Sequence, residues 1–273
     1  MLELLVVLFV VGLMTGLLLP AVQSAREGAR RMQCASNLRQ LGLALHGAHE
    51  LRQRLPAGWN PQAEPERVSG WARDLLPLLD QAGLDGLLQT ADSLEKSAEL
   101  VRQHGTPRIF VCPSDLFAAT FVLYEETGEP QSGTVAGPDR PLLKLPHSNY
   151  VGIFGVSDPD DCGACIGEGT FIGNRGVGLS ELTRGLSQVA VIGERSARRL
   201  PATWLGVDLR GEDATARLTG FADRGPNQEA ADECELDSRH PGCVNLLFAD
   251  GHARAIADSI DRTVYQNMAR RSD

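Results

Sequence analysis

The chain has 273 residues, a formal net charge of −9 and six cysteines. This length is enough to bury a large core, in one domain with or without an appendage. The acidic balance argues against a nucleic-acid partner, because phosphate binding needs clustered basic residues.

The N-terminal segment is apolar. Residues 4 to 22 carry no charge, and as a helix they would span about 28 Å, close to the hydrocarbon thickness of a bilayer. We therefore predict a membrane-spanning segment, with Glu3 at its edge and Pro20 kinking or breaking its helix. A cleaved signal peptide is the alternative. The run is long for one, no basic residue precedes it, and no small-x-small site ends it.

Helical sequence continues to about residue 50, but its apolar face changes side. At 100° per residue, one face carries Ala25, Ala29 and Met32, and the opposite face carries Cys34, Leu38, Leu41, Leu45 and Ala48. This switch indicates two packing environments, namely other subunits near the membrane and the protein's own domain further on. A bend near Gly28 is the alternative. We divide the chain into a transmembrane and assembly helix (1–23), its continuation (24–50) and an exported globular domain (51–273).

The globular part alternates between short helices and strands. Residues 56–70 predict a loop, 71–89 a short helix or helix pair, and 93–103 a surface helix. Strands are predicted at 108–112, 119–125, 148–155 and 188–194.

The C-terminal part predicts a β-hairpin, because Asp250-Gly251 suits a tight turn with positive φ at both centres. A last amphipathic segment presents one apolar face, formed by Ile260, Val264, Tyr265 and Met268. The predicted fold class is α+β, with a long N-terminal helix packed on an antiparallel sheet and long loops between the strands.

The six cysteines allow 15 pairings, so their connectivity depends on compartment. In an exported domain we expect disulfides, and we pair Cys34 with Cys112, Cys162 with Cys165, and Cys234 with Cys243. Cys162-Gly-Ala-Cys165 is alternatively a redox motif or half a zinc site. Its acidic surroundings disfavour a reactive thiol, and zinc would need two further ligands.

His240 and Asp250-Gly251 are the residues that could carry chemistry in the hairpin region. A converging histidine and aspartate could bind metal or exchange protons, with His252 as a third member. We favour a structural role, in which His240 packs beside the hairpin entry and Asp250 supplies turn chemistry. Ser238 with His240 and a distant aspartate does not define a catalytic triad.

Two further groups are weaker site candidates. Calcium could bind oxygen ligands of one acidic loop, formed by Asp158, Asp160, Asp161 and Glu168, although a solvated loop is the simpler interpretation. In a membrane-tethered binding module for polysaccharide or protein, the candidate contacts would be Trp59, Trp71 and Trp204, with Trp71 better suited to the core.

The N-terminal stretch from Leu2 to His46 resembles that of type IV prepilin-like proteins. The whole chain is similar to the bacterial prepilin-type family with a C-terminal processing-associated H-x9-DG signature. The matching pieces are LLPAVQSAREGARRMQCASNLRQLGLALH, WARDLLPLLDQ, FVCPSD, SNYVGIFG, VIGE and the stretch from His240 to Gly251.

This resemblance implies a non-enzymatic pilin-like or pseudopilin protein without a cofactor, anchored in the cytoplasmic membrane and assembled in a surface or type II secretion-like system. The glutamate matching Glu3 would neutralise a neighbouring subunit's N-terminal amine. The expected partners are the membrane, through residues 4–22, and other pilin-like subunits or secretion machinery.

Processing and topology follow from the same resemblance. Prepilin peptidase, with N-terminal methylation, would act if an upstream leader exists, since Met1 lacks the basic leader and glycine of the pattern. Arg26, Arg30 and Arg31 favour a cytoplasmic body by positive-inside counting, whereas the cysteines and a restored leader favour export. We expect an exported domain, on the extracytoplasmic side.

Overall fold

A single helix dominates the N-terminal part of the computed structural model, which describes residues 2–62, 66–126, 140–160 and 166–272. Helix α1 runs continuously over Leu2–Arg52, so Pro20 lies inside it and does not end it. Every described side chain from Glu3 to Val22 is exposed to solvent. Among the described residues, α1 alone is long and apolar enough to cross a membrane, and it can therefore anchor the chain by a single pass.

Two faces of α1 have different environments, as the sequence predicted. The face buried in the globular domain is formed by Cys34, Leu38, Leu41, Leu45 and Ala48, each at most 3% exposed. On the other side Met32 is 70% exposed. The face from Cys34 to Ala48 therefore packs against the protein's own domain, and the face that carries Met32 is exposed in this single chain.

Five strands form the largest sheet in the described part of the chain, and they are β5 (Tyr150–Gly155), β8 (Ala190–Glu194), β10 (Thr219–Phe221), β11 (Cys243–Phe248) and β12 (Ala253–Ala257). Their order across the sheet is β10-β5-β8-β11-β12. All neighbouring pairs are antiparallel except β10 with β5. Antiparallel pairing thus dominates, and the predicted α+β class is confirmed.

The five-stranded sheet is covered on both faces. Leu247 of β11 lies in the same apolar cluster as Leu38 and Leu41 of α1. Its neighbour Leu246 packs with Tyr265, which belongs to helix α4 (Arg262–Met268). Successive strand residues point to opposite faces, so β11 joins both layers.

Smaller elements surround this core. A three-stranded sheet contains β1 (Trp59–Pro61), β2 (Arg67–Gly70) and β9 (Gly206–Asp208), and two hairpins pair β3 (Thr120–Tyr124) with β4 (Pro141–Pro146) and β6 (Phe171–Ile172) with β7 (Arg175–Gly176). Short helices are α2 (Ala82–Gln89) and α3 (Leu94–His104), with 3₁₀ turns at Arg73–Leu79, Arg108–Phe110 and Leu179–Glu181.

Three local predictions were wrong. The 108–112 strand is a 3₁₀ turn, because the Phe110 carbonyl accepts a hydrogen bond from Asn149 N (2.8 Å) and its ring stacks on Trp204. The 56–70 loop contains β1 and β2, which pair with each other. The apolar face predicted for the C-terminal segment is wrong at Val264, because this side chain is 48% exposed.

Candidate functional site at the domain end of the membrane segment

An ion pair joins α1 to the segment before β11. The Glu27 Oε1 atom lies 2.6 Å from Nδ1 of His240, a residue 213 positions later in the chain. Arg30 holds the same carboxylate at 2.7 Å, and Ser114 Oγ donates to it at 3.0 Å. Because the His240 side chain is fully buried, this contact fixes the C-terminal part of the domain against the helix just beyond its apolar segment.

The other imidazole nitrogen faces a second acidic group. His240 Nε2 lies 3.6 Å from Oε1 of Glu194 and 3.4 Å from Sγ of Cys112. Glu194 ends β8 and accepts hydrogen bonds from the backbone N (2.9 Å) and Nδ2 (3.0 Å) of Asn245. The imidazole is therefore enclosed between two carboxylates and a thiol.

Cys34 and Cys112 meet at the inner end of this cluster, with 2.7 Å between their Sγ atoms. Both are buried free cysteines. The predicted partners therefore lie in contact, and the covalent bond between them stays a prediction. Asn149 Oδ1 accepts the Cys112 amide hydrogen at 2.8 Å and so fixes the backbone of that cysteine.

The cluster shifts the protonation of its members. Burial alone would lower the pKa of His240, but contacts with Cys112, Glu194 and Glu27 together raise it to about 11. Burial alone would raise the pKa of Glu27, but its hydrogen bonds with His240, Arg30 and Ser114 outweigh burial and lower this pKa below its usual value. The Cys34 hydrogen bond lowers the pKa of Cys112 to about 6, helped by His240, while that of Cys34 is raised. The His240 side chain is therefore protonated and positively charged in the neutral pH range.

The donor types also permit metal binding. Ligand atoms of Cys34, Cys112, Glu194 and His240 all lie within 4.8 Å of one another. Two thiolates on one zinc ion, each about 2.3 Å from the metal, would stand roughly 3.8 Å apart. The observed 2.7 Å between the sulfurs is about 1 Å too short for that arrangement.

The hairpin tip contacts α1 separately from His240. Gly251 has a φ of 91°, whereas Asp250 is not in the left-handed region, so the predicted turn with two positive φ values was wrong. A Gly251 N to Phe248 O bond (2.9 Å) closes a turn that ends in this glycine. Gly42 of α1 gives room to the tip, since an added Cβ there would lie 3.3 Å from Gly251 Cα.

His240 and Asp250 are not brought together, because the whole of β11 lies between them. Asp250 Oδ1 instead accepts a hydrogen bond from His252 N (3.1 Å) and contacts the His252 ring. Ser238 Oγ accepts from His240 N at 3.1 Å, so it serves the local turn. The structural role of the hairpin residues stays a prediction.

The other candidate residues lie apart from the cluster. Glu3 and Pro20 are exposed on the membrane segment of α1. Cys234 and Cys243 are buried free thiols in the structure, and their pairing stays a prediction. Cys162 and Cys165 lie outside the described residues. Trp71 and Trp204 are at most 1% exposed, which removes both as ligand contacts, and half-buried Trp59 stacks on Phe154.

The calcium candidates are divided by the fold. Asp160 accepts hydrogen bonds from the backbone N of Thr215 (3.1 Å) and of Ala216 (2.9 Å). Glu168 instead accepts from Val156 N at 3.2 Å. Asp158 and Asp160 lie beside Cys234 in a possible metal group, and Asp161 falls outside the described residues. The aspartates that the structure describes are thus used mainly to fix loops.

Asp213→Asn is expected to stabilise the protein. Burial, with nearby Glu233 and Asp160, raises the pKa of Asp213 to about 6 despite Arg217. A raised carboxyl pKa means that the charged form is disfavoured in the folded state, so stability falls as the pH rises from about 3.9 through 6. Asparagine avoids this and tolerates the φ of 49°.

Denaturant unfolding of the full chain in detergent measures this effect. We expect Asp213→Asn to be more stable than the parent at pH 7 by about 1–2 kcal/mol. Between pH 4 and 6, the stability of the variant should change less with pH than that of the parent. The exposed Asp92→Asn serves as the control and should stay within about 0.5 kcal/mol of the parent. Equal pH profiles for the parent and Asp213→Asn would contradict the prediction.

Sequence patterns did not single out Glu27, Glu194 or Arg195. Glu27 lies in an Arg-rich stretch that resembles a solvated helix face, Glu194 is the last residue of the predicted strand at 188–194, and Arg195 follows it where a turn is expected. The available signal for Glu194 was its place at the end of a fully buried strand. A charge there needs a partner, and only the fold identifies it.

Comparison with known proteins assigns a family. Residues 23–263 match the family described as "Protein of unknown function (DUF1559)", and the chain therefore belongs to that family. No curated protein and no solved structure matches the chain. The matched region begins after the membrane segment and includes Glu27, Cys34, Cys112, Glu194 and His240.

Proposed function

We propose that this protein is a membrane-anchored, pilin-like structural subunit of the pseudopilin type that works by assembly and not by catalysis. Helix α1 carries the proposal. Residues 4 to 22 of its first part are apolar, and the described side chains among them are exposed; its later part is buried against the domain without a break between them. An apolar helix of this length needs either lipid or other helices around it.

The Glu27–His240 ion pair supports the proposal in a second way. It fixes the domain to α1 only five residues after Val22, which is about 7.5 Å along a helix. Helix and domain can therefore move as one body from a membrane into an assembly. In this proposal the domain is exported, and the Glu3 carboxylate binds the N-terminal amine of a neighbouring subunit.

Photo-crosslinking in membranes tests the proposal. The full chain, with a photoreactive amino acid at exposed Leu13, should resist alkaline extraction and give adducts of two copies. Glu3→Ala should lower these adducts about 10-fold, which corresponds to the loss of a contact worth about 1.4 kcal/mol. Its membrane retention should not change, since residues 4–22 stay intact.

Leu4→Ala is the matched control, because it alters the next side chain and keeps the acid. Its adducts should equal those of the parent. Alkali-soluble protein would exclude anchoring, and full crosslinking by Glu3→Ala would exclude the proposed role of the acid. A membrane-impermeant maleimide added to intact cells should label Leu116→Cys, whose parent side chain is 93% exposed, if the domain is exported.

A further inference from the structure

Cys34 and Cys112 lie beside His240 in an arrangement that favours one of the two thiols as the first to react. Cys34 comes from α1 and Cys112 from the segment after the 3₁₀ turn at Arg108–Phe110, and their sulfurs touch at 2.7 Å. His240 Nε2 lies 3.4 Å from the Cys112 sulfur. A cation at that distance favours a thiolate on Cys112, to which the Cys34 thiol can donate its hydrogen.

We propose that Cys34 and Cys112 form a disulfide by thiol–disulfide exchange in which Cys112 is the attacking thiolate and His240 stabilises it. His240 thereby acts as a positioning residue for an oxidative modification of the chain. The oxidant is a disulfide-bearing molecule. Because His240 belongs to the C-terminal segment, efficient closure follows the docking of that segment against α1.

The exchange proceeds in two balanced steps. The Cys112 thiolate attacks one sulfur of the oxidant disulfide, forming a mixed disulfide and releasing the first oxidant thiol, which takes up a proton. Cys34 then loses its proton and attacks the Cys112 sulfur, and the second oxidant thiol leaves with that proton. Two protein thiols are oxidised to one disulfide, and one oxidant disulfide is reduced to two thiols.

Accessibility gives the same order of attack. Cys34 is fully buried, whereas Cys112 is 4% exposed and borders a narrow surface cleft that is also lined by Asp115 and Asp237. An incoming small oxidant therefore meets Cys112 first. Cys34 approaches from the opposite, helix side and is placed to resolve the mixed disulfide.

Several charged or titratable groups face the imidazole and set the pH range of its action. On α1 these are Glu27, with Arg30 beside it, and Cys34. Glu194 lies on β8, and Tyr150 on β5 is close to both sulfurs. The two carboxylates keep His240 charged at neutral pH, so Cys112 should already react near pH 7.

The test follows oxidation of the reduced full chain in detergent by 2-hydroxyethyl disulfide, with alkylation in denaturant and mass spectrometry of the Cys34–Cys112 linked peptide. The parent rate should rise between pH 5 and 7 and then level off, following a thiolate pKa of about 6. His240→Gln should react roughly 3- to 10-fold more slowly at pH 7, because Cys112 then keeps the hydrogen bond from Cys34 but loses the cation that also lowers its pKa.

His252→Gln, an imidazole exposed at the hairpin tip, is the matched control and should react like the parent. The pH profile of the parent is informative even if His240→Gln fails to fold. The proposal is overturned if the parent rate increases only above pH 8, if His240→Gln and parent rates agree, or if the isolated parent holds one zinc ion on these thiols.

Discussion

The unfolding free energy of the full chain is expected to decrease as the pH rises from about 6.5 towards 9, and His240→Gln should remove most of this decrease. His240 has its pKa raised to about 11 in the folded protein, against about 6.5 for an unperturbed imidazole. The stabilisation from its positive charge is therefore complete below pH 6.5 and is lost progressively up to about 11. The slope can reach about 1.4 kcal/mol per pH unit.

At pH 6 the same substitution should cost about 2–4 kcal/mol. It leaves the Glu194 carboxylate, which is 2% exposed, without its nearby cation. Denaturant unfolding in detergent at pH 6, 7, 8 and 9 measures both effects. His252→Gln keeps the buried imidazole and should show the parent slope, and a parental slope in His240→Gln would contradict the ion-pair account.

This ion pair explains why the two ends of the H-x9-DG signature lie where they do. His240 contacts α1 at Glu27, and the Gly251 tip contacts α1 near Gly42. Fifteen helical residues span about 22 Å, and the six residues of β11 with their flanks cover a comparable distance. This C-terminal segment is therefore fixed to the helix at two points.

Sequence patterns predicted the parts of the fold that depend on local periodicity. The stripe from Cys34 to Ala48, the strands near 120, 150 and 190, and the C-terminal hairpin all lie where the apolar spacing placed them. Each of these depends on residues a few positions apart, because burial of one face imposes period 3.6 or 2.

The candidate site could be predicted only in part, because its contacts join distant parts of the chain. The Cys34 and Cys112 partnership was predicted from the expected compartment, and the structure places the two sulfurs in contact. Glu27 and Glu194 could not be assigned to His240, since their sequence separations of 213 and 46 residues carry no periodic signal. The predicted strand at 108–112 failed for a similar reason, because Phe110 is fixed by Trp204 and Asn149.

Arg195 presents the strongest case of a residue that only tertiary structure explains. It follows β8 directly, is 1% exposed, and donates hydrogen bonds to the carbonyl oxygens of Thr219 (3.2 Å), Cys234 (3.0 Å) and Ala216. Burial lowers the pKa of this guanidinium from its usual value. These hydrogen bonds connect three parts of the chain through one side chain, namely the segment before β10, β10 itself and the loop at Cys234.

Arg195→Met should therefore destabilise the full chain by about 3–5 kcal/mol, because methionine fills much of the volume but leaves three buried carbonyl groups without a donor. Arg195→Lys, which keeps a charge but lacks the planar fork, should cost less, about 1–3 kcal/mol. Arg198→Met is the matched control, since this arginine is 56% exposed and its loss should cost under about 1 kcal/mol.

Denaturant unfolding in detergent gives the three values, and limited proteolysis should show earlier cleavage between residues 212 and 237 in Arg195→Met. If Arg195→Met were no less stable than Arg198→Met, the three carbonyl groups would have to find other donors, and the guanidinium would not be what holds this corner of the sheet together.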